Sequence, residues 1–464
     1  MGRLTGRLIR GAMLAPLSLL TAGLVWAQET AEAPLSLEER LAALETATAV
    51  PAYVDNSYLF LIGGLIVMFM AAGFCMLEAG LVRSKNAAMQ SMKNVLLFAV
   101  AGLLFWLTGY NLAYPGDATL FNGLLPTNLA IWSPGSLEEA NGGYSSGSDW
   151  FFQMGFVATA ASIVSGTVAE RVKLLPFLLF TVVLTGVIYP VVVSWEWGGG
   201  YLDAQWGFSD FAGSTLVHSV GGWAALTGAL IIGPRTGKYF GKGVNAMPGS
   251  NIPLAALGTL ILWLGWFGFN GASQLAAGTI TDINSVSIIF VNTNMAAVGG
   301  CLAAAVTTAI LYKGKVDATM VFNGVIGGLV SITAEPLAPT IGQAVLIGAV
   351  GGVFVVLAVP LLDKLKIDDV VGAIPAHLVC GIWGTMIVPL SHGGAITPNE
   401  AGDPSYLGQL VGVGLTAAFV LVASTIVWLA LKFTLGVRAS EEDEMMGMDR
   451  AEVGLEAYPE FSRQ

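Results

Sequence analysis

Two histidines lie in the middle of hydrophobic segments that are each long enough to cross a bilayer. They are His218 and His377, and the whole sequence contains only three histidines. A titratable ring costs free energy in hydrocarbon, so it usually faces a bundle interior or an aqueous path and belongs to a transported ligand, a relay or a cofactor. The two residues therefore mark the candidate site.

Several kinds of chemistry are open to two neutral imidazoles. They can hydrogen-bond each other and offer a remaining nitrogen to a small polar solute. Structural hydrogen bonding to the backbone, ligation of haem or metal, and a proton relay remain as alternatives. Metal ligation is the least favoured, because a metal ion usually needs at least three protein ligands and no further histidine or carboxylate lies close by in the sequence. No cofactor is predicted.

The composition is that of an integral membrane protein. Hydrophobic residues make up 55% of the chain and charged residues 11%, with a net charge of -11. Runs of about 20 apolar residues, the length needed to cross hydrocarbon, recur along the chain. We count eleven, and they begin near Ser57, Asn94, Asp149, Leu174, Asp210, Asn251, Ser285, Asp317, Thr340, Val370 and Leu407. The predicted fold is an all-α membrane protein with eleven transmembrane helices.

The ends of the chain and its basic residues indicate an orientation. Residues 1–27 combine three arginines with a short apolar stretch, which predicts a cleaved signal peptide, with an uncleaved twelfth helix as the alternative. Residues 28–56 would form a periplasmic lead-in, residues 57–436 the transmembrane domain and residues 437–464 a cytoplasmic tail. With the N-terminus outside, every lysine and arginine after the start of the first span falls on the cytoplasmic side. Together with the leader sequence, this orientation predicts a protein of a bacterial inner membrane.

The two histidines also suggest an internal repeat. Spans one to five and six to ten would be two halves of opposite orientation. His218 lies eight residues into the fifth span and His377 seven residues into the tenth, and both begin the pattern H-x-V-x-G. An inverted repeat would bring the two rings to matching depths near the membrane midplane.

Several long motifs resemble the ammonium transporter family, the Amt/Mep/Rh group, and the resemblance extends from Ser57 to Tyr458. The matching pieces are Asp210–His218, Gly80–Asn86, Phe152–Gln153, Ala169–Arg171, Trp197–Gly200, Gly265–Asn270 and His377–Gly381. The resemblance implies eleven helices around one pore in each subunit and a homotrimer with three separate pores.

The resemblance also assigns roles to individual residues. Trp197, Phe156 and Ser273 match an outer site that recognises a small cation through aromatic faces and a hydroxyl. Phe156 and Phe269 match a stacked gate. His218 and His377 match the paired imidazoles of a dry pore. Asp210 matches a carboxylate beneath the recognition site, where we expect it to be mainly structural, with a secondary electrostatic role.

The function implied is uptake of ammonium, which loses its proton at or below the gate and crosses as ammonia, and methylammonium is a further candidate substrate. Hydrophobic lining rejects hydrated cations, because burying an ion costs several kcal/mol. An enzyme is not expected, and the sequence has no G-x-x-x-x-G-K-[ST] motif. A sensor, an Rh-like gas channel and a membrane cytochrome are the alternatives. Membrane lipid is an expected partner and nucleic acid is not.

Two features remain open in the sequence. The tail is either a solvated segment or a region that docks across subunits and responds to a PII-type signalling protein. Glu78, near the cytoplasmic end of the first span, replaces a tyrosine of other family members. It either faces the inner exit or extends its carboxylate toward water.

Overall fold

The structure is a computed structural model that describes residues 36–137, 143–399 and 402–461, without the side chains of residues 37–49 and 461. The chain divides into two units, Met1–Val50 and Pro51–Gln464. Apart from the start of the first helix, the elements below belong to the second unit. The predicted signal peptide, residues 1–27, lies outside the described residues.

The secondary structure is predominantly helical. The α-helices are α1 (Leu37–Leu81), α2 (Ala87–Leu104), α3 (Tyr110–Ala113), α4 (Ser146–Thr167), α5 (Leu174–Val183), α6 (Tyr189–Ser194), α7 (Tyr201–Trp206), α8 (Val220–Ile232), α9 (Ile252–Ala272), α10 (Ile280–Leu311), α11 (Ala318–Ile332), α12 (Ile341–Lys364), α13 (Cys380–Ile387), α14 (Tyr406–Thr434) and α15 (Glu441–Met446). Two short antiparallel hairpins pair β1 (Thr119–Leu120) with β2 (Leu125–Pro126) and β3 (Tyr239–Phe240) with β4 (Gly243–Val244).

Shorter helical stretches join or extend these helices. Five are π-helical and three are 3₁₀. The π-helical stretches are Phe105–Gly109, Leu184–Ile188, Ser214–Ser219, Ile374–Val379 and Asp449–Val453, and the 3₁₀ stretches are Ser84–Asn86, Val388–His392 and Pro459–Phe461.

The helices confirm an all-α protein with apolar spans. Within the described residues, nine helical segments are long and apolar enough to cross a membrane. Two further helices, α4 and α11, occupy the places of the predicted third and eighth spans. The count of eleven transmembrane helices stays a prediction.

Three predicted helix starts were wrong. The first span was expected to begin near Ser57, yet α1 begins at Leu37, because good helix formers precede Ser57 and continue the helix. The second span was expected to begin near Asn94, yet α2 begins at Ala87, because Gln90 and Lys93 are buried against neighbouring helices instead of lying in a solvated loop. The seventh was expected near Ser285. It begins at Ile280, where Thr279 and Asp282 cap each other's backbone N–H groups.

Close packing of α10, α11 and α12 depends on small residues, as their abundance in the sequence predicts. A Cβ atom added to Gly351 of α12 would lie 2.7 Å from the carbonyl oxygen of Gly327 in α11. A Cβ atom added to Gly328 would lie 3.1 Å from the Cα atom of Gly300 in α10. Neither position has room for a side chain, so these helices contact each other through their backbones.

The two histidine segments begin in the same unusual way. His218 lies in the π-helical stretch Ser214–Ser219 that leads into α8, and His377 lies in Ile374–Val379, which leads into α13. The wider π turn frequently marks functional sites, because it displaces side chains from the regular helix pattern. This correspondence supports the inverted repeat, which remains a prediction.

Candidate functional site

His218 and His377 contact each other in the interior of the helix bundle. Their Nδ1 atoms are 3.2 Å apart, and their ring centroids are separated by 5.2 Å with an angle of 24° between the planes. Both side chains are buried. Two nitrogen atoms in hydrogen-bond contact share one hydrogen atom, so one ring donates and the other accepts. Within the described part of the chain, Nε2 of His218 has no hydrogen-bond partner.

Aromatic rings from α9 cover one face of the histidine pair. The ring of His218 stacks on Trp266, with 5.0 Å between centroids, and on Phe269, with 5.3 Å between centroids. The indole nitrogen of Trp266 donates to the hydroxyl of Thr333 at 2.8 Å, which fixes the orientation of this ring. On the other side, the ring of His377 lies 6.0 Å from Phe74. The imidazoles are therefore enclosed by apolar surfaces.

The stacked rings of His218 and Phe269 continue to Phe156 of α4 and so form an aromatic column. The Phe156 ring stacks on Phe269 at a centroid distance of 3.9 Å and an interplanar angle of 26°. Trp197 lies edge-on to Phe156, 5.9 Å away. Both phenylalanine side chains are buried. The two stacked rings lie between the histidines and Trp197 in this series of ring contacts.

Beyond Phe156 the column opens into a cavity of about 440 Å³. Phe156, Trp197 and Ser273 line this cavity together, as the sequence resemblance implies. Trp197 is held by a hydrogen bond of 2.9 Å from its indole nitrogen to the backbone oxygen of Asp210. The hydroxyl of Ser273 donates to the carbonyl oxygen of Phe269 at 2.8 Å. With its hydrogen used in this way, the Ser273 oxygen is free to act as an acceptor.

Asp210 does not line the cavity and instead caps the segment that carries His218. Its carboxylate accepts hydrogen bonds from the backbone N–H groups of Gly213, Ser214, Thr215 and Leu216, at 2.7 to 3.0 Å. The side chain is fully buried. This anion at a helix N-terminus satisfies four backbone donors that the first turn would leave without partners. The position agrees with a mainly structural role.

The sequence analysis did not identify a carboxylate and a group of tyrosines that share the cavity with Trp197. Asp149, Tyr110, Tyr114 and Tyr144 lie on its wall. A signal for Asp149 existed in the sequence, because Asp149, Gln153 and Phe156 are spaced i, i+4 and i+7 and must lie on one face of a helix. In the sequence, Asp149 marks only the predicted start of the third span.

Glu78 is fully enclosed, so the suggestion that it extends toward water was wrong. Glu78 is only 1% exposed. One of its carboxylate oxygens accepts hydrogen bonds from Gln90, from Asn94 at 2.8 Å and from Ser165 at 2.8 Å. Lys93, also 1% exposed, donates to the backbone oxygen of Ser165 at 3.0 Å. Ser165 thus connects two buried charged residues of α1 and α2.

A second cavity of about 390 Å³ lies at the end of the bundle that carries the basic loops. Arg235 lines it and forms buried ion pairs with Asp368, at 2.8 Å, and with Glu170, at 3.3 Å. Arg83 binds the same Glu170 at 2.5 Å. Burial alone would raise the pKa of Asp368, but the hydrogen bonds from Arg235, together with the positive charges of Arg171 and Arg235, outweigh it and hold that pKa well below its usual range. The network joins four connecting segments at this end of the bundle.

The C-terminal tail docks on the same end of the bundle. Asp449 accepts hydrogen bonds from the backbone N–H groups of Ala88 and Met89, at 3.1 and 2.7 Å, and so caps α2. Lys85 donates to the carbonyl oxygens of Glu444 and Met445 at 2.7 and 2.6 Å. These contacts tie the tail to the first loop.

The described ranges contain no group of three or more His, Cys, Asp or Glu residues that could hold a metal ion. Cys75, Cys301 and Cys380 are free thiols.

Comparison with known proteins gives consistent matches over most of the chain. The model of the Ammonium Transporter Family matches residues 58–458. Ammonium transporter Amt2 of Archaeoglobus fulgidus is 40% identical over 423 residues, covering 86% of this chain and 87% of the relative. Ammonium transporter Amt2 of Haloferax mediterranei is 38% identical over 413 residues, covering 85% and 88%.

Solved structures show the same fold. A protein described as a sensor Amt protein superposes with a TM-score of 0.79 at 32% identity, covering 88% of this chain and 99% of that chain. Mep2 of Candida albicans superposes with a TM-score of 0.74 at 26% identity, covering 88% and 91%.

Proposed function

This chain belongs to the ammonium transporter family, and from that membership we propose that it recognises ammonium in the cavity of Trp197, removes its proton at the phenylalanine gate and conducts ammonia along His218 and His377. Ammonium transport by a multi-pass membrane protein is the function that the family shares with its named relatives. The observation that carries the finer mechanism is the column Trp197, Phe156, Phe269, His218 and His377, in which each ring contacts the next.

Recognition in this proposal depends on cation–π attraction together with one directed hydrogen bond. The faces of Trp197 and Phe156 attract a small cation, with about 2 kcal/mol for a desolvated contact. The Ser273 oxygen accepts a hydrogen bond from ammonium, because its own hydrogen is directed to Phe269. Potassium has no hydrogen to donate, so it gains only the electrostatic part of this interaction.

Deprotonation follows from the cost of moving a charge past the gate. Moving an ammonium-sized ion out of water costs several kcal/mol even after the protein relaxes. The stacked rings of Phe156 and Phe269 offer no polar atoms to offset that cost, whereas ammonia is small and neutral. The histidine nitrogens then provide hydrogen-bonding positions in a segment that is otherwise apolar.

Asp210 has a positioning role in this mechanism. Its carboxylate fixes the first turn of the His218 segment, and its backbone oxygen holds the indole of Trp197. Both the recognition site and the pore would therefore lose their geometry without it. Its buried negative charge gives the secondary electrostatic contribution that the sequence analysis expected.

We further propose, by analogy with the family, a homotrimer in a bacterial inner membrane with a periplasmic N-terminus and a cytoplasmic C-terminus. The docked tail contacts the first loop near the inner cavity, which would suit regulation by a PII-type protein. The relative named as a sensor Amt protein keeps ammonium sensing as a second candidate. The two functions differ in ammonium flux across the membrane, which is substantial for a transporter and small for a sensor.

The test is ammonium-evoked current and methylammonium uptake in proteoliposomes. We expect saturable transport by the wild type, a loss of at least about tenfold in His218→Ala, and weaker binding of substrate in Trp197→Leu. Leu264→Ala, on the exposed surface of α9, serves as the matched control and should transport like the wild type. Equal transport by all four proteins would remove the site assignment, and no transport by any of them would favour a sensor.

A further inference from the structure

The wall of the outer cavity carries two chemically different groups of residues. The first group is Phe156, Trp197 and Ser273, which the proposed function already uses. The second is Asp149 with the rings of Tyr110 and Tyr114. The proposed mechanism gives this second group no role.

Asp149 is a carboxylate without a basic partner. It is 5% exposed, and in the described part of the chain none of the ion pairs includes it. A buried carboxylate is costly unless a positive charge or hydrogen-bond donors stabilise it. The cavity beside it, of about 440 Å³, is large enough for a small cation.

Among the residues that the structure describes, Asp149 has only neutral groups as hydrogen-bond partners. It lies in the first turn of α4, where the helix dipole stabilises negative charge. The hydroxyl of Tyr110 donates to one carboxylate oxygen, and the side-chain amide of Gln153 approaches the other at 3.5 Å. These neutral donors hold the carboxylate in place but leave its charge uncompensated.

The second open polar atom on this wall is the hydroxyl of Tyr114. Within the described ranges it has no hydrogen-bond partner although it is enclosed. The rings of Tyr110 and Tyr114 are 5.1 Å apart. The wall thus combines a carboxylate, a free hydroxyl oxygen and aromatic faces, and all three interact favourably with a small cation that carries N–H groups.

We propose that Asp149 and Tyr114 form a second cation subsite in the outer cavity, which takes ammonium or a small protonated amine and sets the apparent affinity of transport. This inference rests on the proposed function, because it concerns the same cavity and the same class of substrate. The carboxylate contributes Coulomb attraction, which acts over several ångströms in a partly enclosed site. Trp197 and Ser273 then discriminate by contact.

The alternative is that Asp149 only holds Tyr110 in position. The two explanations differ in what happens when charge and hydrogen bond are separated. Tyr110→Phe removes the donor and leaves the charge of Asp149. Asp149→Asn removes the charge and keeps a hydrogen-bond acceptor of similar size. A subsite depends on the charge, whereas a structural contact depends on the hydrogen bond.

The experiment measures KM and the maximal rate for methylammonium uptake in proteoliposomes. Asp149→Asn should raise KM by at least about tenfold, the scale expected from removing a close charge–charge interaction, and change the maximal rate much less. Asp149→Glu should keep KM within a few-fold of the wild type, and Tyr110→Phe should leave KM unchanged or lower. Asp117→Asn removes an exposed acidic residue that does not line this cavity and is the control.

A second variant covers the case in which Asp149→Asn does not assemble. Ser146 lines the same cavity one turn before Asp149. Ser146→Lys should neutralise the field of Asp149 and raise KM, whereas Ser146→Gln, of similar length but uncharged, should not. Saturable transport with unchanged KM in Asp149→Asn, or in Ser146→Lys if the former does not assemble, would overturn the subsite and leave the proposed function intact. If the wild type itself does not transport, the proposed function fails.

Discussion

Asp210 and Asp369 occupy equivalent places, each eight residues before one of the paired histidines. Asp210 accepts the N–H groups that begin the His218 segment, and Asp369 accepts the N–H of Ile374, at 2.7 Å, at the start of the His377 segment. The Asp369 carboxylate also receives the hydroxyl of Thr167 at 3.0 Å. A buried carboxylate therefore fixes the first turn of each segment that carries a histidine.

The first prediction concerns this cap. Asp210→Ala leaves four backbone donors without partners, and each hydrogen bond to a charged group contributes about 1.5–3 kcal/mol. We expect a lower midpoint of thermal unfolding in detergent by many degrees, with Asp210→Asn intermediate because its amide keeps one acceptor oxygen. Asp203→Asn, an exposed residue in the same region, should be neutral. Wild-type stability of Asp210→Ala would show that the cap is dispensable.

The second prediction concerns Glu78 and Lys93, which share Ser165 in the interior. Removing one buried charge leaves the other uncompensated, at a cost of about 3–5 kcal/mol. Glu78→Gln and Lys93→Met should each lower the free energy of unfolding. The double variant should recover much of the loss, since no isolated charge remains.

Additive losses in that double-mutant cycle would mean that the two charges do not interact, and the grouping of these residues would then be wrong. Denaturant unfolding of the reconstituted protein provides the measurement.

A third prediction concerns pH and the inner network. Because the hydrogen bonds from Arg235 hold the pKa of Asp368 well below its usual range, the pair contributes its full stability above the unfolded pKa of about 3.9. That contribution is lost as the pH falls through the lower folded pKa. The difference in unfolding midpoint between the wild type and Asp368→Asn should be constant from pH 5 to 8 and shrink below about pH 4. A difference that grows on acidification would contradict this linkage.

The fourth prediction concerns the docked tail. Asp449→Ala removes the cap on α2, and loss of a cap costs about 1 kcal/mol, or several-fold in the population of the undocked tail. Trypsin should therefore cleave after Arg450 several-fold faster. Glu441→Gln, an exposed change in the same tail, should leave the cleavage rate unchanged. Equal rates for both variants would exclude Asp449 as the anchor.

The helical fold was predictable from the sequence, and so were several candidate site residues that lie together in the structure. His218 and His377 were accessible because each is a polar ring inside an apolar run, and Phe156, Trp197, Ser273 and Phe269 because their motifs resemble one family. The structure places all of them in one column. Their roles in transport remain predictions until the variants are measured.

Other features could not be predicted, because they depend on contacts between distant segments. In the sequence, Lys93 and Gln90 indicate a solvated loop. Only the packing of three helices shows that Glu78 and Ser165 accept the hydrogen bonds of these two side chains. Asp149 appeared to be an ordinary helix start. Its importance depends on the absence of a basic neighbour within the described structure, which is a property of the folded cavity.

The hydrogen bond between the Nδ1 atoms of His218 and His377 determines which of the two Nε2 atoms carries a hydrogen. Because a single hydrogen lies between the rings, the Nε2 atom of one histidine must carry a hydrogen while the Nε2 atom of the other must be bare. The pair is therefore always asymmetric, because one Nε2 atom is a hydrogen-bond donor and the other is an acceptor. Moving the shared hydrogen alone would leave an imidazolium beside an imidazolate, so the two Nε2 atoms exchange roles only if one of them also takes up a proton and the other releases one.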